Sequence, residues 1–218
     1  MPSMTKGVVK MDTCVLFLPG AAGDGNFWKG VGKCLPDSWE KRFLDWPGLG
    51  HQPPRPEIRG MEDLFDLAEK ALQRPSAIVA QSMAGIIGIQ LALRHPDRVT
   101  HLILTATSGG LNVARLGGRD WRPEYLAEYP ETARWILTEN PDLSDRVADL
   151  KIPTLLLWGE DDPVSPPAIG RYLVERIPKA RLVTIPGGQH SLGTDKPEVI
   201  APLIMEHVMA SPGYGGHS

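Results

Sequence analysis

Short apolar runs alternate along this sequence with longer stretches in which apolar positions recur every three or four residues. The short runs predict β-strands at 13–18, 41–45, 77–81, 99–105, 154–158 and 181–185, and residues 7–11 form a candidate edge strand. Strands that alternate with helices are typical of the α/β class. They predict a mostly parallel sheet that helices cover on both faces.

Four of the longer stretches predict helices, at 61–74, 83–94, 167–177 and 197–209. The first is amphipathic, with Leu64, Phe65 and Ala68 on one face and acidic residues elsewhere. The second is apolar nearly all round, which indicates a helix packed against the middle of the sheet. Pro202 falls inside the last stretch, where it should kink the helix or delay its start.

Length and composition favour one domain that spans residues 1–218. The chain has 218 residues, of which 42% are hydrophobic and 22% charged, and this is enough for one substantial core. The segment 211–218 is rich in glycine, and we expect it to be a flexible tail.

Net charge, apolar runs and cysteine content limit the partners and the location that we expect for this protein. The formal net charge of −3 leaves no basic footprint, so we expect neither nucleic acid nor a membrane as a partner. The first residues lack the apolar block of a signal peptide, and no run approaches the roughly 20 apolar residues of a membrane span. We therefore expect a cytoplasmic monomer or homodimer. Cys14 and Cys34 lack metal-ligand spacing and are expected to be packing residues.

The run at 78–85 joins an apolar strand to a helix through a serine that small residues flank. Ala80, Ala84 and Gly85 are small enough for a nucleophile elbow, a sharp turn that holds the serine hydroxyl clear of the sheet. For this run alone, a buried strand followed by an incidental serine is the simpler interpretation. Ser82 is a candidate nucleophile only if the rest of the chain supplies its partners.

Both partners of a serine nucleophile are present, because a base and an orienting carboxylate each follow a predicted strand. His190 lies directly after the last strand, and Asp162 follows the strand at 154–158. Asp162 is preferred to Asp161 because the residue before a proline is held extended. Taken singly, His190 fits a surface histidine and Asp162 an ordinary turn. Together with Ser82 they fall at the sheet edge where open α/β folds bind ligands, which predicts a Ser-Asp-His catalytic triad.

The loop at 17–25 is rich in glycine and follows the first well-defined strand. Such a loop brings backbone N–H groups close to a ligand, and we predict that the amides of Ala21 and Met83 form an oxyanion hole. A phosphate-binding loop is the rival interpretation. No Gly-Lys-Ser or Gly-Lys-Thr follows, and the glycines lack dinucleotide-binding spacing.

Five segments together resemble the α/β-hydrolase superfamily over about residues 12–209. They are LPGAAG at 18–23, DWPGLG at 45–50, AQSMAG at 80–85, LWGEDDP at 157–163 and GGQH at 187–190. The resemblance implies a mostly parallel sheet of about six to seven strands, helices on both faces and a short cap insertion at about 109–149. It implies no cofactor and no metal. The chain departs from the family pattern at Pro19, where a histidine is common, and at Ala80, where glycine is usual.

The predicted reaction is hydrolysis of a small to medium carboxylic ester through an acyl-enzyme on Ser82. Alternatives are an acyl thioesterase, a carbon–carbon bond hydrolase or lyase of the same fold and, in a different class, a non-catalytic ligand-binding protein. The expected partner is a small-molecule acyl substrate. Trp28, Trp121, Tyr125 and Trp135 are candidates for its pocket, although the aromatic residues between 109 and 149 could equally pack that segment onto the core.

Overall fold

The computed structural model describes residues 13–210, and within them six strands form one sheet. The strands are β1 (Cys14–Leu18), β2 (Glu40–Phe43), β3 (Ser76–Gln81), β4 (Val99–Thr105), β5 (Thr154–Gly159) and β6 (Ala180–Ile185). They lie in the order β2-β1-β3-β4-β5-β6, and every neighbouring pair is parallel. The predicted parallel α/β sheet is confirmed. The candidate edge strand at 7–11 and the expected tail at 211–218 lie outside the described residues.

Helices cover both faces of the sheet, as predicted. Leu16, Ile78 and Leu104 point to the face that carries α2 (Met61–Ala71), α3 (Ala84–Arg94) and α5 (Pro167–Val174). The alternate strand residues Phe17 and Val79 point to the face that carries α1 (Lys29–Cys34), α6 (Leu192–Asp195) and α7 (Pro197–Met209). Because both faces are buried, the central strands are continuous apolar runs and do not alternate with polar residues.

Three of the eight predicted helix boundaries differ from those observed, the smallest difference being that α3 begins at Ala84 and not at 83. Helix α2 ends at Ala71 and not at 74, since Pro75 holds the chain before it extended and so stops the helix. Helix α5 ends at Val174 and not at 177. Helix α7 begins at Pro197 as predicted and runs through Pro202, so this proline does not delay the start.

The chain between β4 and β5 lies over one end of the sheet. It contains α4 (Arg122–Glu128) and three short 3₁₀ helices, Ala114–Leu116, Arg134–Leu137 and Val147–Asp149. Buried side chains of Leu111, Tyr125, Ile136, Leu143 and Val147 attach this segment to the core on the α2/α3/α5 face.

Across residues 13–210 no helix has both the length and the apolar character that crossing a membrane requires.

Candidate active site

Ser82 stands in a strained turn between β3 and α3. Its φ angle is 54°, in the left-handed region that residues with a side chain rarely adopt. The Ser82 N–H donates to Thr105 O of the neighbouring strand (2.9 Å), and Ser82 O accepts from Gly85 N (3.0 Å). These bonds hold the strained conformation, as expected of a nucleophile elbow.

Close packing around this turn explains why small residues flank the serine. A Cβ atom on Gly85 would lie 2.4 Å from Thr107 Oγ1, and one on Gly20 would lie 3.2 Å from Ser82 Cβ. The extra methyl group of Ala80 is accommodated because Gly88, one turn into α3, faces it. A Cβ atom on Gly88 would lie 3.3 Å from Ala80 Cβ. The chain therefore replaces the usual elbow glycine at position 80 and keeps space for the methyl group in α3.

The loops that follow β5 and β6 pack backbone against backbone. A Cβ atom on Gly159 would lie 2.4 Å from Gly188 O, which only glycine avoids. Asp161 N donates to Gly188 O (2.9 Å), and Glu160 N donates to Ile185 O (3.1 Å). This close approach brings the loop with Asp162 beside the loop with His190.

Ser82, His190 and Asp162 form a continuous hydrogen-bonded chain. Ser82 Oγ is 3.2 Å from His190 Nε2, and His190 Nδ1 is 2.8 Å from Asp162 Oδ2. A carboxylate can only accept hydrogen bonds, so His190 Nδ1 carries a proton and donates a hydrogen bond to Asp162 Oδ2. In neutral imidazole this leaves Nε2 as the acceptor for the Ser82 hydroxyl. The structure thus brings the three predicted residues together in one hydrogen-bonded chain.

Burial and hydrogen bonds hold Asp162 in this arrangement. Its side chain has no exposed surface, whereas the His190 side chain is 24% exposed. Asp162 Oδ1 accepts from the N–H groups of Val164 (2.8 Å) and Ser165 (2.9 Å), which compensates for burial of the carboxylate. The neighbouring Asp161, in contrast, is exposed.

The predicted oxyanion donors have free N–H groups. Within the part of the chain that the structure describes, neither Ala21 N nor Met83 N donates to a protein acceptor. The Ala21 loop is fixed by other bonds. Gly23 N donates to Gly20 O (3.0 Å), and Trp46 Nε1 donates to Pro19 O (2.6 Å). Both amides belong to residues that line the cleft at Ser82, as an oxyanion hole requires.

A cleft of about 1390 Å³ opens above Ser82 and His190. The candidate pocket residues Trp121 and Tyr125 line it, as does the side chain of Met83. Tyr129 and His51 also line it, and their rings meet edge to face with centroids 4.8 Å apart. His51 looks incidental in the sequence. The feature of the sequence that could have indicated a place in the cleft is its position directly after the DWPGLG segment, in the loop that follows β2.

Two of the four candidate pocket residues do not line the cleft. Trp28 is fully buried in the core on the α1/α7 face, where it packs against Phe17 and donates to Leu18 O (3.0 Å). The 3₁₀ helix Gly25–Trp28 turns its indole into the core and away from the cleft. Trp135 packs against the opposite core, and its neighbour Ile136 lines the cleft. The structure therefore does not place Trp28 or Trp135 at the cleft.

The tyrosines of the cleft remain protonated at neutral pH. Burial raises the pKa of the Tyr125 hydroxyl, and it raises the pKa of Tyr129 to about 12, with the nearby carboxylate of Glu128 adding to the effect. No group of three or more His, Cys, Asp or Glu side chains among residues 13–210 is arranged to hold a metal ion.

The fold agrees with comparisons to known proteins. Residues 15–203 match the model of the alpha/beta hydrolase family. A pimeloyl-[acyl-carrier protein] methyl ester esterase of Neisseria meningitidis is 25% identical over 80% of this chain and 70% of its own length. A 2-hydroxy-6-oxononadienedioate/2-hydroxy-6-oxononatrienedioate hydrolase of Cupriavidus pinatubonensis is 25% identical over 75% of this chain and 74% of its own.

Comparison with solved structures shows the same similarity in the fold. A thermophilic esterase from Thermogutta terrifontis superposes with a TM-score of 0.71 and 25% identity, over 89% of this chain and 88% of its own. The resemblance to the superfamily that the five sequence segments indicated is confirmed. The chain belongs to the alpha/beta hydrolase family and is an enzyme of that family.

Proposed function

We propose that this protein is a serine hydrolase that cleaves small to medium carboxylic esters through an acyl-enzyme intermediate. The observation that carries the proposal is the hydrogen-bonded chain from Ser82 through His190 to the buried Asp162, at the floor of an open cleft. A serine hydroxyl is a weak nucleophile near neutral pH, and this chain of bonds supplies the base that activates it.

In the acylation step, Ser82 Oγ attacks the carbonyl carbon of the ester while its proton passes to His190 Nε2. The carbonyl oxygen becomes an oxyanion that accepts hydrogen bonds from the free N–H groups of Ala21 and Met83. Asp162 stabilises the imidazolium through its bond to Nδ1. When the intermediate collapses, the bond to the alcohol oxygen breaks and His190 returns the proton to the departing alcohol.

In the deacylation step, water replaces the alcohol. His190 Nε2 removes a proton from the water, whose oxygen attacks the acyl carbon, and the same two amides hold the second oxyanion. Collapse breaks the bond to Ser82 Oγ, which recovers its proton from His190. A carboxylic acid leaves. No metal or organic cofactor takes part in either step.

The cleft and the named relatives support a carboxylic ester as the substrate. The Neisseria relative and the Thermogutta structure are both named esterases. The segment at 109–149 acts in our proposal as a small cap that covers Ser82 only partly, and Trp121 and Tyr125 form its contribution to the substrate pocket. An open cleft of this size admits substrates of more than one acyl length.

Cleavage of a carbon–carbon bond beside a carbonyl is the second candidate, because the Cupriavidus relative is named as a hydrolase of 2-hydroxy-6-oxo dienedioates. A thioester would use the same residues as an oxygen ester. A binding protein without turnover is disfavoured, since such a protein would have no need of an aligned Ser82, His190 and Asp162.

The test is a panel of p-nitrophenyl esters and acyl thioesters of increasing acyl length, assayed with the wild-type protein and Ser82→Ala. We expect ester hydrolysis by the wild type and a loss of about 10⁶-fold in kcat for Ser82→Ala, close to the effect of removing a nucleophile in another serine hydrolase. Ser144→Ala, which removes an exposed serine outside the main cleft, is the matched control. Equal rates in wild type and Ser82→Ala would refute the proposal.

A further inference from the structure

The hydroxyl of Tyr125 connects helix α4 to the loop that carries the Ala21 amide. Tyr125 Oη donates to Ala21 O across 2.7 Å, and it lies 3.3 Å from Gly50 N and 2.8 Å from Thr132 Oγ1. A phenol has one proton, and the bond to Ala21 O uses it. The hydroxyl therefore accepts from Gly50 N–H and from the Thr132 hydroxyl.

This junction is buried and closely packed. Tyr125 is 8% exposed and Thr132 is 3% exposed. Gly50 has a φ angle of 56°, and a Cβ atom there would lie 2.0 Å from Ala22 O, so the two loops touch through their backbones. Ala133 N donates to Gly48 O (2.8 Å), which attaches the residues after α4 to the same loop. Three segments distant in sequence thus meet at one hydroxyl group.

The bond to Ala21 O differs from the other bonds of the loop. Trp46 holds Pro19, two residues before Ala21, through its carbonyl, and Asp45 Oδ1 accepts from Gly25 N (2.8 Å) at the far end of the loop. Tyr125 holds Ala21 itself, which lines the cleft and carries one of the two predicted oxyanion donors. The peptide plane that carries the Ala21 N–H also contains Gly20 O, which accepts from Gly23 N (3.0 Å). The bond from Tyr125 to Ala21 O holds the next peptide plane. With both planes held, the backbone at Ala21 cannot rotate and turn its N–H without breaking one of these two bonds.

We propose that Tyr125 is a positioning residue that aims the Ala21 N–H at the oxyanion and makes the oxyanion hole depend on the docking of α4. The inference rests on the proposed serine hydrolase function, because it assigns the Ala21 amide to a transition state of that reaction. Tyr125 acts through Ala21 and not on the reacting atoms. Its ring also lines the cleft, so the role of the hydroxyl must be separated from that of the ring.

Tyr125→Phe makes this separation because it keeps the ring and removes the hydroxyl. We expect kcat for a p-nitrophenyl ester to fall by about 10- to 100-fold, since a donor displaced by about an ångström loses much of its effect. We expect KM to change by less than about twofold, because the ground-state carbonyl makes little use of the oxyanion donors.

A pair of matched inhibitors distinguishes a positioning role from a structural one. Ser82 Oγ adds to the carbonyl carbon of a trifluoromethyl ketone while the serine proton passes to His190 Nε2, and the ketone oxygen becomes an oxyanion in the hole. The corresponding methyl ketone occupies the cleft mainly without reacting. For Tyr125→Phe we expect weaker inhibition by the trifluoromethyl ketone in proportion to the loss of kcat/KM, and unchanged inhibition by the methyl ketone.

Two further variants complete the design. Thr132→Val removes the donor that orients the Tyr125 hydroxyl, and we expect the same pattern with a smaller loss. Tyr172→Phe removes a tyrosine hydroxyl on α5, outside the main cleft, and should keep wild-type kinetics. If Tyr125→Phe does not fold, the ratio of the two ketone inhibition constants in Thr132→Val decides, and an unchanged ratio there overturns the proposal.

Other outcomes are equally decisive. An unchanged kcat in folded Tyr125→Phe, or an equal weakening of both ketones, overturns the role of Tyr125 in positioning Ala21. Hydrolysis at the wild-type rate by Ser82→Ala would instead refute the proposed function itself. The two failures are therefore separable in one set of assays.

Discussion

Replacing Asp162 with asparagine tests the arrangement of the site and keeps a side chain of nearly the same size and shape at position 162. Asp162 Oδ1 accepts from two backbone N–H groups, Val164 N at 2.8 Å and Ser165 N at 2.9 Å. An asparagine must present its carbonyl oxygen to these donors, because its NH₂ group cannot accept. The NH₂ group then faces His190 Nδ1, at the position that Oδ2 occupies in the native protein, 2.8 Å away.

The NH₂ group of the asparagine, which replaces an acceptor with a donor, favours the wrong tautomer of His190. With a donor facing Nδ1, His190 carries its proton on Nε2, which can no longer accept the proton of Ser82. The same change in a serine protease lowers kcat by about 10⁴-fold, and we expect a loss of that order here, equivalent to about 5 kcal/mol of transition-state stabilisation. Folding should be affected far less, since both bonds to the backbone remain; we expect about 1 kcal/mol.

The assay is kcat/KM for the best p-nitrophenyl ester, measured beside urea unfolding of the same samples. Asp161→Asn is the matched control, because it makes the same chemical change at the adjacent, exposed residue and should keep wild-type activity. If Asp162→Asn is folded and stays within tenfold of the wild type, the carboxylate does not orient His190 and the reasoning fails.

Two further predictions concern stability. Gly85→Ala should lower the free energy of unfolding by about 1–3 kcal/mol, because the new methyl group would meet the buried, branched Thr107 side chain at 2.4 Å; an unchanged midpoint in urea would contradict this packing. Burial, reinforced by the neighbouring His101, lowers the pKa of His207 to about 4, whereas an unfolded histidine titrates near 6.5. The unfolded chain therefore binds more protons, so stability should fall by about 1–2 kcal/mol, after allowance for solvent screening, as the pH drops from 6.5 to 4. His207→Gln should remove this part of the pH dependence, and an identical pH profile in the variant would refute it.

The pattern of residues was sufficient to predict the sheet and to place Ser82, Asp162 and His190 after its strands. Strand β4 and helix α7 begin and end where the pattern predicts, because long apolar runs and strong periodicity define them. Each of the three polar residues lies in the turn or loop that follows a strand, and parallel strands bring such positions to one edge of the sheet. Their arrangement could therefore be predicted from chain order, before any distance was known.

Side-chain direction inside loops could not be predicted in the same way. Trp28 lies only a few residues after Ala21, yet a single 3₁₀ turn directs its indole into the core behind the sheet. The contact between Tyr125 and Ala21 joins residues 104 positions apart, and no local pattern records it. Short irregular segments lack the periodicity that makes helices and strands predictable, so the direction of a side chain on such a segment does not follow from the residue pattern.

The most direct test of the central claim is covalent labelling of Ser82 by a fluorophosphonate probe, followed by peptide mapping with mass spectrometry. The probe reacts with a serine that a neighbouring base has activated, and the adduct does not depend on which ester is the natural substrate. We predict one adduct, on Ser82, that is absent in Ser82→Ala and strongly slowed in Asp162→Asn. A folded wild-type protein that remains unlabelled, or that is labelled on another serine, would contradict the account.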